Sequence, residues 1–258
     1  MDLGIKGKTA IVCAASRGLG RACAHALADA GVNLIINSGT QDNLDKTAAE
    51  LKDKGINITA IAGDISTHDI QDALIEAAGE VDILVNNNGG PPLKDFRQLD
   101  REAIKTGVEQ NMITPIEMIQ KVIDPMAERG FGRIVNITST SVYQPIPGLD
   151  LSSGARAGLT SFLGGVALNY AANNVTINQI LPGKFDTDRI RKTIEFAAEK
   201  NGVDFETQKT TVMNTIAAKR LGDPSEFGNT CAFLCSVHAG YMTGRNIILD
   251  GGVYASAF

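Results

Sequence analysis

The side chains best suited to acid–base and hydrogen-bonding chemistry lie between residues 139 and 156. Ser139 follows the predicted strand Arg133–Thr138, and Tyr143 comes four residues later. Ser152 and Arg156 are also four residues apart, at the start of a predicted helix. A phenol has a pKa of about 10, whereas an aliphatic hydroxyl is a far weaker acid and a guanidinium stays protonated. Tyr143 is therefore the phenolic proton donor nearest to Ser139 in the sequence. Ser152 and Arg156 can hold a bound group by hydrogen bonds, but they cannot readily pass on a proton.

A second group of candidate residues forms a glycine-rich turn near the N-terminus. The predicted strand Lys8–Ala14 leads into Ala15-Ser16-Arg17-Gly18-Leu19-Gly20, and a helical pattern begins at Gly18. Backbone N–H groups and the positive end of a helix dipole favour a phosphate at such a turn. The segment therefore predicts a binding site for the pyrophosphate of a dinucleotide.

Strands and helices that alternate along the chain must position these residues, and this order is typical of a doubly wound parallel sheet. Most predicted strands are continuous apolar runs, as expected where helices cover both faces of a sheet. The strands are predicted at Lys8–Ala14, Asn33–Asn37, Ile56–Ala62, Asp82–Asn86, Arg133–Thr138, Thr176–Ile180 and Asn246–Leu249. The helices are predicted at Gly18–Ala30, Asn43–Lys54, Ile70–Ala78, Arg101–Ala127, Ser153–Tyr170 and Ser225–Cys235. No linker or repeat divides residues 1–258, so we expect one α/β domain with a Rossmann fold.

Residues 184–220 depart from this regular alternation. The segment is charged, follows the turn Pro182-Gly183 and contains two amphipathic stretches, Arg189–Lys200 and Phe205–Ala218. Ligands of open α/β sheets bind beyond the carboxyl ends of the strands. We therefore predict a small helical substrate lid at 184–220, with a pair of solvated surface helices as the alternative.

Composition and charge argue against several classes of function. The 258 residues are 43% apolar, and their net charge of −5 comes from interspersed charges of both signs, which disfavours nucleic acid as a partner. No run of about 18 apolar residues predicts a membrane span, and the N-terminus lacks the order of a signal peptide. The four cysteines and three histidines show no metal-ligand spacing. We expect a cytoplasmic protein with reduced thiols, no metal site and no membrane partner.

The order of the motifs resembles the short-chain dehydrogenase/reductase family, most closely its 3-oxoacyl-acyl-carrier-protein reductase branch. The family patterns T-G-x-x-x-G-x-G, N-N-A-G and P-G-x-x-x-T correspond to Cys13–Gly20, Asn86–Gly89 and Pro182–Thr187. Further matches are Thr243-Gly244 and Asp250-Gly251-Gly252. This resemblance extends from about Gly7 to Gly252 and implies a nicotinamide dinucleotide as cofactor.

The resemblance also assigns residues to the cofactor. The expected contacts are Ser16, Arg17, Gly18, Leu19, Gly20, Ser38, Asp64, Ile65, Asn87, Asn88, Gly89, Arg156, Pro182, Gly183 and Thr187. Ala14 replaces the first glycine of the turn, and its methyl group disfavours a positive φ, so we expect weakened or adjusted binding.

The choice between NADP and NAD depends on the end of the second predicted strand. NAD recognition usually places an acid there, but no carboxylate appears before Asp42. Arg17, Ser38 and Thr40 are instead able to bind a 2′-phosphate, although Gly39 stands where many NADP-using relatives carry Arg. We therefore predict NADP(H) in preference to NAD(H).

The reaction centre departs from the family pattern. In that family a Ser holds the substrate carbonyl, a Tyr transfers its proton, a Lys lowers the pKa of the Tyr, and an Asn anchors a water relay. Ser139 and Asn111 match the Ser and the Asn, but Ser152 and Arg156 stand where the Tyr and Lys are expected. The chain thus resembles an atypical subgroup without the catalytic pair. The candidate proton donors are Tyr143, Lys184 and a water molecule held by Ser152 and Asn111.

Three functions fit this pattern. The first is an NAD(P)(H)-dependent oxidoreductase acting on a small carbonyl or alcohol through a non-classical proton donor. The second is a lyase or isomerase that binds the nicotinamide cofactor without net redox turnover. The third is a non-catalytic cofactor-binding protein. The predicted pocket wall is mostly apolar and comprises Gly90, Pro91, Pro92, Tyr143, Pro145 and Ile146 with the lid, which favours a modest organic carbonyl.

The resemblance finally implies self-association. The predicted helix Arg101–Ala127 carries an apolar stripe that includes Ile104, Val108, Met112, Ile116 and Ile123. The predicted helix Ser153–Tyr170 has a small, apolar face. In the family these two helices pair with their symmetry mates, so we expect a homodimer or a homotetramer.

Overall fold

Seven strands form one parallel sheet within residues 1–90 and 94–256, the part of the chain that the computed structural model describes. In chain order they are β1 (Thr9–Val12), β2 (Asn33–Ser38), β3 (Ile58–Ala62), β4 (Ile83–Asn86), β5 (Gly132–Ile137), β6 (Val175–Pro182) and β7 (Asn246–Leu249). Their spatial order is β3-β2-β1-β4-β5-β6-β7. The strand order reverses between β1 and β4, and ligands of such sheets bind in the crevice at that point. The predicted doubly wound Rossmann fold is confirmed.

Helices cover both faces of this sheet. In chain order they are α1 (Gly18–Asp29), α2 (Gln41–Leu51), α3 (His68–Ala78), α4 (Arg101–Val108), α5 (Thr114–Glu128), α6 (Asp150–Tyr170), α7 (Asp188–Asn201), α8 (Phe205–Asn214) and α9 (Pro224–Leu234). One face packs against α1 and α9 through residues such as Leu27 and Phe227. The other face packs against α5 and α6 through residues such as Met118 and Leu163. The sheet therefore lies between two apolar layers, and its carboxyl edge is left for a site.

The predicted single helix Arg101–Ala127 is wrong in one respect, because a π-helical turn at Glu109–Ile113 separates α4 from α5. The wider turn shifts the phase of the side chains, so that the predicted four-residue stripe does not continue through it. Ile104 is 45% exposed on α4, whereas the residues of α5 that face the sheet are buried. This turn carries Asn111, one of the predicted site residues.

Residues 184–220 form the predicted pair of helices, α7 and α8, and a small apolar cluster of Ile194, Ile216 and Leu221 holds them together. The second helix ends at Asn214 and not at Ala218, because the backbone N–H of Ala218 donates to the carbonyl oxygen of Gly251. That bond ties the chain to the segment after β7. The role of this segment as a substrate lid stays a prediction.

The four cysteines are free and buried. Across residues 1–90 and 94–256, no group of three or more possible metal ligands is found. None of the helices in those ranges is both long enough and apolar enough to cross a membrane.

Candidate active site

The glycine-rich turn after β1 has the strained backbone that a dinucleotide-binding turn requires. Ala14 and Gly18 have positive φ angles of 49° and 56°. The left-handed conformation costs a residue with a β-carbon about 1 kcal/mol, so Ala14 adopts the expected geometry at some expense in stability. At Gly20, a β-carbon would collide with the carbonyl oxygen of Ala14 and approach Nδ2 of Asn87. Glycine at this position allows α1 to begin directly against the turn.

The first turn of α1 is well suited to an anion. It contains no acidic residue, and Arg17 at its N-cap provides no side-chain hydrogen bond to the free N–H groups. Thr187 at the start of α7 lies opposite, with its Cγ2 3.7 Å from the place a β-carbon on Gly18 would take. A cleft with backbone donors on one side and a hydroxyl on the other fits the pyrophosphate of a dinucleotide.

The predicted adenosine end of this cleft lies at the ends of β2 and β3. The hydroxyls of Ser16 and Ser38 are hydrogen bonded at 2.7 Å. Arg17 is exposed, and a β-carbon on Gly39 would meet open space. Room for a 2′-phosphate therefore exists beside a hydroxyl pair and a guanidinium.

The remaining predicted cofactor contacts border the same cleft or support it. Asp64 is exposed and its Oδ1 accepts from the backbone N–H of Ser66, while Ile65 is buried and Leu19 packs on the core. Asn88 donates from Nδ2 to the carbonyl oxygen of Gln110 at 3.3 Å and accepts at Oδ1 from the N–H of Gly89 at 2.7 Å. The loop after β4 is thereby fixed to the π-helical turn.

The predicted nicotinamide end includes the turn after β6. Gly183 donates its N–H to Leu249, and a β-carbon on Gly183 would lie 2.6 Å from Cβ of Asp250. The carbonyl oxygen of Pro182 accepts from the hydroxyl of Thr140 at 3.3 Å. These contacts hold the Pro-Gly turn against the loop that follows β5.

Asn111 is buried and has an unused hydrogen-bonding atom. Its Nδ2 donates to the carbonyl oxygen of Gly107 at 3.2 Å, but Oδ1 finds no partner. Asn111 lines a small cavity of about 20 Å³ together with Asn86, Asn136 and Arg156 and with apolar residues such as Leu159. Nδ2 of Asn136 is also without a partner. A cavity of this size with several polar groups has room for about one water molecule.

Arg156 provides a buried positive charge beside this cavity. Its Nε donates to Oγ of Ser152 at 3.2 Å, and its Nη1 donates to the carbonyl oxygen of Ile137 at 2.6 Å. Within the described ranges no carboxylate forms an ion pair with it. Burial, with a smaller effect of the nearby positive charge of Arg189, lowers the pKa of Arg156 to about 10. The guanidinium is thus charged at neutral pH and only partly satisfied.

The structure separates Tyr143 from this buried pair. Its hydroxyl accepts a hydrogen bond from Nδ2 of Asn246 at 2.6 Å, and its ring stacks on Tyr254 with centroids 5.6 Å apart. Ser139 is half-buried, and its hydroxyl accepts from the N–H of Ser141. Lys184 is half-buried without an ion pair in the described residues. Of the predicted catalytic residues, Asn111 and Arg156 share a cavity and Ser152 contacts Arg156.

One candidate residue of this region was missed by sequence reasoning. Arg189, in the first turn of α7, approaches Gly90 so closely that a β-carbon there would lie 2.6 Å from Nη1. Its place two residues after Thr187 was the available signal, because that spacing puts it at the same end of the lid. The predicted wall residues Pro91 and Pro92 lie outside the described residues.

Comparison with known proteins places the chain in a family. A family model described as enoyl-(acyl carrier protein) reductase matches residues 13–254. A relative named dehydrogenase/reductase SDR family member 4, from Caenorhabditis elegans, is 32% identical over 97% of this chain and 96% of its own length. The chain belongs to the short-chain dehydrogenase/reductase family.

Two further comparisons agree with this membership. The 3-oxoacyl-[acyl-carrier-protein] reductase FabG of Vibrio cholerae is 30% identical over 98% of this chain and 99% of its own length. Among solved structures, the L-sorbose reductase of Gluconobacter frateurii, in complex with NADPH and L-sorbose, superposes with a TM-score of 0.94 at 29% identity. That comparison covers 99% of this chain and all of the other.

Proposed function

We propose that this short-chain dehydrogenase/reductase is an NADP(H)-dependent oxidoreductase that acts on a small carbonyl or alcohol. The proposal is carried by two features of the site that lie next to each other. The turns at Ala14–Gly20 and Pro182-Gly183 are suited to a dinucleotide, and a small cavity lined by Asn111 and Arg156 reaches Cys13 beside the first of these turns. A bound nicotinamide supplies or accepts a hydride there.

The preference for NADP(H) rests on the adenosine end of the cleft. Open space lies at Gly39 beside the hydroxyl pair of Ser16 and Ser38, Arg17 is exposed, and residues 37–41 include no carboxylate. The sorbose reductase with the same fold binds NADPH. A guanidinium and a hydroxyl are suitable partners for a 2′-phosphate.

The protein's own residues have distinct roles in this proposal. Ser139 donates its hydroxyl to the substrate carbonyl oxygen, and Arg156 binds the hydroxyls of the nicotinamide ribose. Ser152 and Arg156 stand in place of the family's Tyr and Lys, so the chain is an atypical member that needs a different proton route. Gly183 and Thr187 hold one edge of the bound cofactor, at the turn after β6 and the start of α7.

We propose that the proton reaches the carbonyl oxygen from a water molecule in the cavity between Asn111 and Arg156. The unpaired Oδ1 of Asn111 accepts a hydrogen bond from this water, and the guanidinium of Arg156, which lines the same cavity, holds its oxygen. The hydroxide left after the transfer takes a proton from solvent water. Tyr143 is less suited, because it does not line this cavity: its hydroxyl lies beside Asn246 on β7 and its ring stacks on Tyr254. Lys184 stays the second alternative.

The proposal is tested by measuring cofactor affinity and turnover together. NADPH and NADH are titrated by fluorescence, and a panel of small ketones and aldehydes is assayed at saturating cofactor. We expect micromolar NADPH binding and slow but real reduction. Asn111→Leu should abolish turnover without weakening NADPH binding, whereas Tyr143→Phe should keep most of it. Loss of activity in Tyr143→Phe alone would overturn the water route.

A second function is favoured by one observation. The only ionisable groups that line the cavity in the described residues are Cys13, whose pKa burial raises to about 12, and Arg156, whose pKa is about 10. Neither titrates near neutral pH, as an efficient general acid would. A protein that binds the cofactor without net redox turnover would show NADPH binding and no reduction of any carbonyl in the panel.

A further inference from the structure

Two positive charges border the substrate end of the cleft without an anion between them. Arg189 on α7 has no ion pair in the described residues, although Arg191 on the same helix is paired with Asp186 at 2.8 Å. Arg156 on α6 is 8% exposed and likewise lacks a carboxylate partner in the described chain. Arg189 belongs to the helix pair 184–220, and Arg156 belongs to α6.

The two charges lie at the carboxyl ends of neighbouring strands. The exposed side chain of Arg189 lies against Gly90, after β4. The buried side chain of Arg156 is bonded to Ile137 at the end of β5. The positive charge of Arg189 contributes to the lowered pKa of Arg156. Other arginines of this segment, Arg191 and Arg220, are each paired with a carboxylate. The uncompensated positive charge at these two strand ends therefore suits an anionic ligand.

The sheet order indicates that this partner is not the cofactor's pyrophosphate. The phosphate-binding turn follows β1, and Thr187 closes over Gly18 at that position. Arg189 instead lies against Gly90, beyond β4, and Arg156 is bonded to Ile137 at the end of β5. Neighbouring strands are about 4.8 Å apart, so the arginines lie one and two strands away from the turn. That is the end of the cleft where the proposed function places the nicotinamide and the substrate.

We propose that the substrate is an anionic carbonyl compound, an oxo acid whose carboxylate is bound by Arg189 and attracted by Arg156. This inference rests on the proposed function of the site. A guanidinium presents two parallel N–H groups that match the two oxygens of a carboxylate. Arg189 forms the direct contact from the lid, and Arg156 provides positive potential from below while it holds the carbonyl oxygen of Ile137.

The experiment compares 2-, 3- and 4-oxo acids of four to six carbons with their methyl esters. Each pair is assayed at saturating NADPH with the wild type, Arg189→Ala, Arg189→Lys and Lys192→Ala. Lys192 is exposed on the same helix and forms no ion pair in the described residues, so its variant is a matched control for charge. The NADPH dissociation constant is measured for every variant.

We expect at least one acid to exceed its ester in kcat/KM, and Arg189→Ala to reduce that kcat/KM by about 10- to 100-fold. The loss should appear mainly in KM. Arg189→Lys should recover part of it, and Lys192→Ala should change neither substrate. An equal loss for acid and ester would overturn the proposal. A weaker NADPH affinity in Arg189→Ala would overturn it too, by assigning the arginine to the cofactor.

A separate readout keeps the inference distinct from the proposed function. If no carbonyl is reduced, binding of the same acids to the NADPH-loaded protein is measured by calorimetry. Acid binding that disappears in Arg189→Ala but not in Lys192→Ala would support the carboxylate site while the oxidoreductase function fails. Absence of acid binding in the wild type would overturn the carboxylate site.

Discussion

Arg156 donates a hydrogen bond from Nε to the hydroxyl of Ser152, 3.2 Å away and one turn earlier in α6. The same guanidinium donates from Nη1 to the carbonyl oxygen of Ile137 at the end of β5. This relationship ties the helix to the strand end through a charge that no described carboxylate balances. The hydroxyl of Ser152 is thereby used as a hydrogen-bond acceptor. Among the described residues, the cavity beside Arg156 contains no acid that titrates near neutral pH.

The first prediction concerns the cost of burying that charge. The pKa of Arg156 is lowered to about 10 in the folded protein, chiefly by burial. Since the unfolded chain then binds more protons above about pH 10, the buried charge destabilises the fold at neutral pH, by about 3 kcal/mol. The penalty falls as the pH rises through that range. Arg156→Met should therefore be neutral or more stable by about 1–3 kcal/mol at pH 8.

Urea unfolding at pH 8 and near pH 11 checks this expectation. The advantage of Arg156→Met over the wild type should shrink at the higher pH. Arg191→Met is the control, because Arg191 is exposed and paired with Asp186 and should give no gain in stability. A strongly destabilised Arg156→Met would show that the two hydrogen bonds outweigh the cost of the buried charge.

The second prediction restores the family's catalytic pair. Ser152→Tyr with Arg156→Lys should raise the reduction of generic carbonyl substrates by about 10²–10⁴-fold, the usual contribution of a positioned general acid. Ser153→Tyr with Arg156→Lys is the matched control, since Ser153 is bonded to the carbonyl oxygen of Leu149 instead of Arg156. NADPH affinity is measured for both. A double mutant that binds NADPH normally yet gains no carbonyl reduction would indicate that the substrate side of the pocket also differs from that of the family.

The fold could be predicted from the sequence because its information is local. Each buried strand is a short apolar run, and the glycine-rich turn between Val12 and Gly18 marks the end of β1 and the start of α1. The end of α8 was predicted wrongly, because a distant contact decides it: the N–H of Ala218 donates to the carbonyl oxygen of Gly251. The predicted long helix has nearly the right ends, but the π-helical turn at Glu109–Ile113 inside it was missed.

The site was predictable only in part, for the same reason. Residues within a motif, such as Ser152 and Arg156, could be paired by helical spacing. The bond between Tyr143 and Asn246 joins residues 103 positions apart, and no local pattern encodes it. The contact of Arg189 with Gly90 depends on the path of the lid over the cleft. Such contacts appear only when the whole sheet is assembled.

The third prediction concerns cofactor selectivity. Arg17→Ala should weaken NADPH binding by about 1–3 kcal/mol and spare NADH, because the lost contact is a charge-assisted hydrogen bond to the 2′-phosphate. Arg21→Ala is the control on the same helix, since Arg21 is committed to Glu50. Fluorescence titration with both cofactors measures the effect. Equal losses for NADPH and NADH would remove Arg17 from the 2′-phosphate site.

The last prediction concerns self-association through α6. Phe162 and Leu168 are 50% and 72% exposed on this helix, and a β-carbon on Gly165 between them would meet open space. Ile113, in the π-helical turn between α4 and α5, is also 44% exposed. Apolar side chains this open to water on adjoining elements favour burial against a second copy of the chain, and a two-fold axis would place α6 against its own mate.

Sedimentation at micromolar concentration should therefore give a homodimer or homotetramer for the wild type. Phe162→Asp should shift it towards smaller species, because a dimer would have to bury two unpaired carboxylates near its axis. Phe196→Asp is the matched control, since Phe196 is 69% exposed on α7, away from this surface, and should leave the assembly unchanged. A wild-type monomer would refute the assembly. If Phe196→Asp dissociates the assembly and Phe162→Asp does not, the interface is formed by the helix pair 184–220 and not by α6.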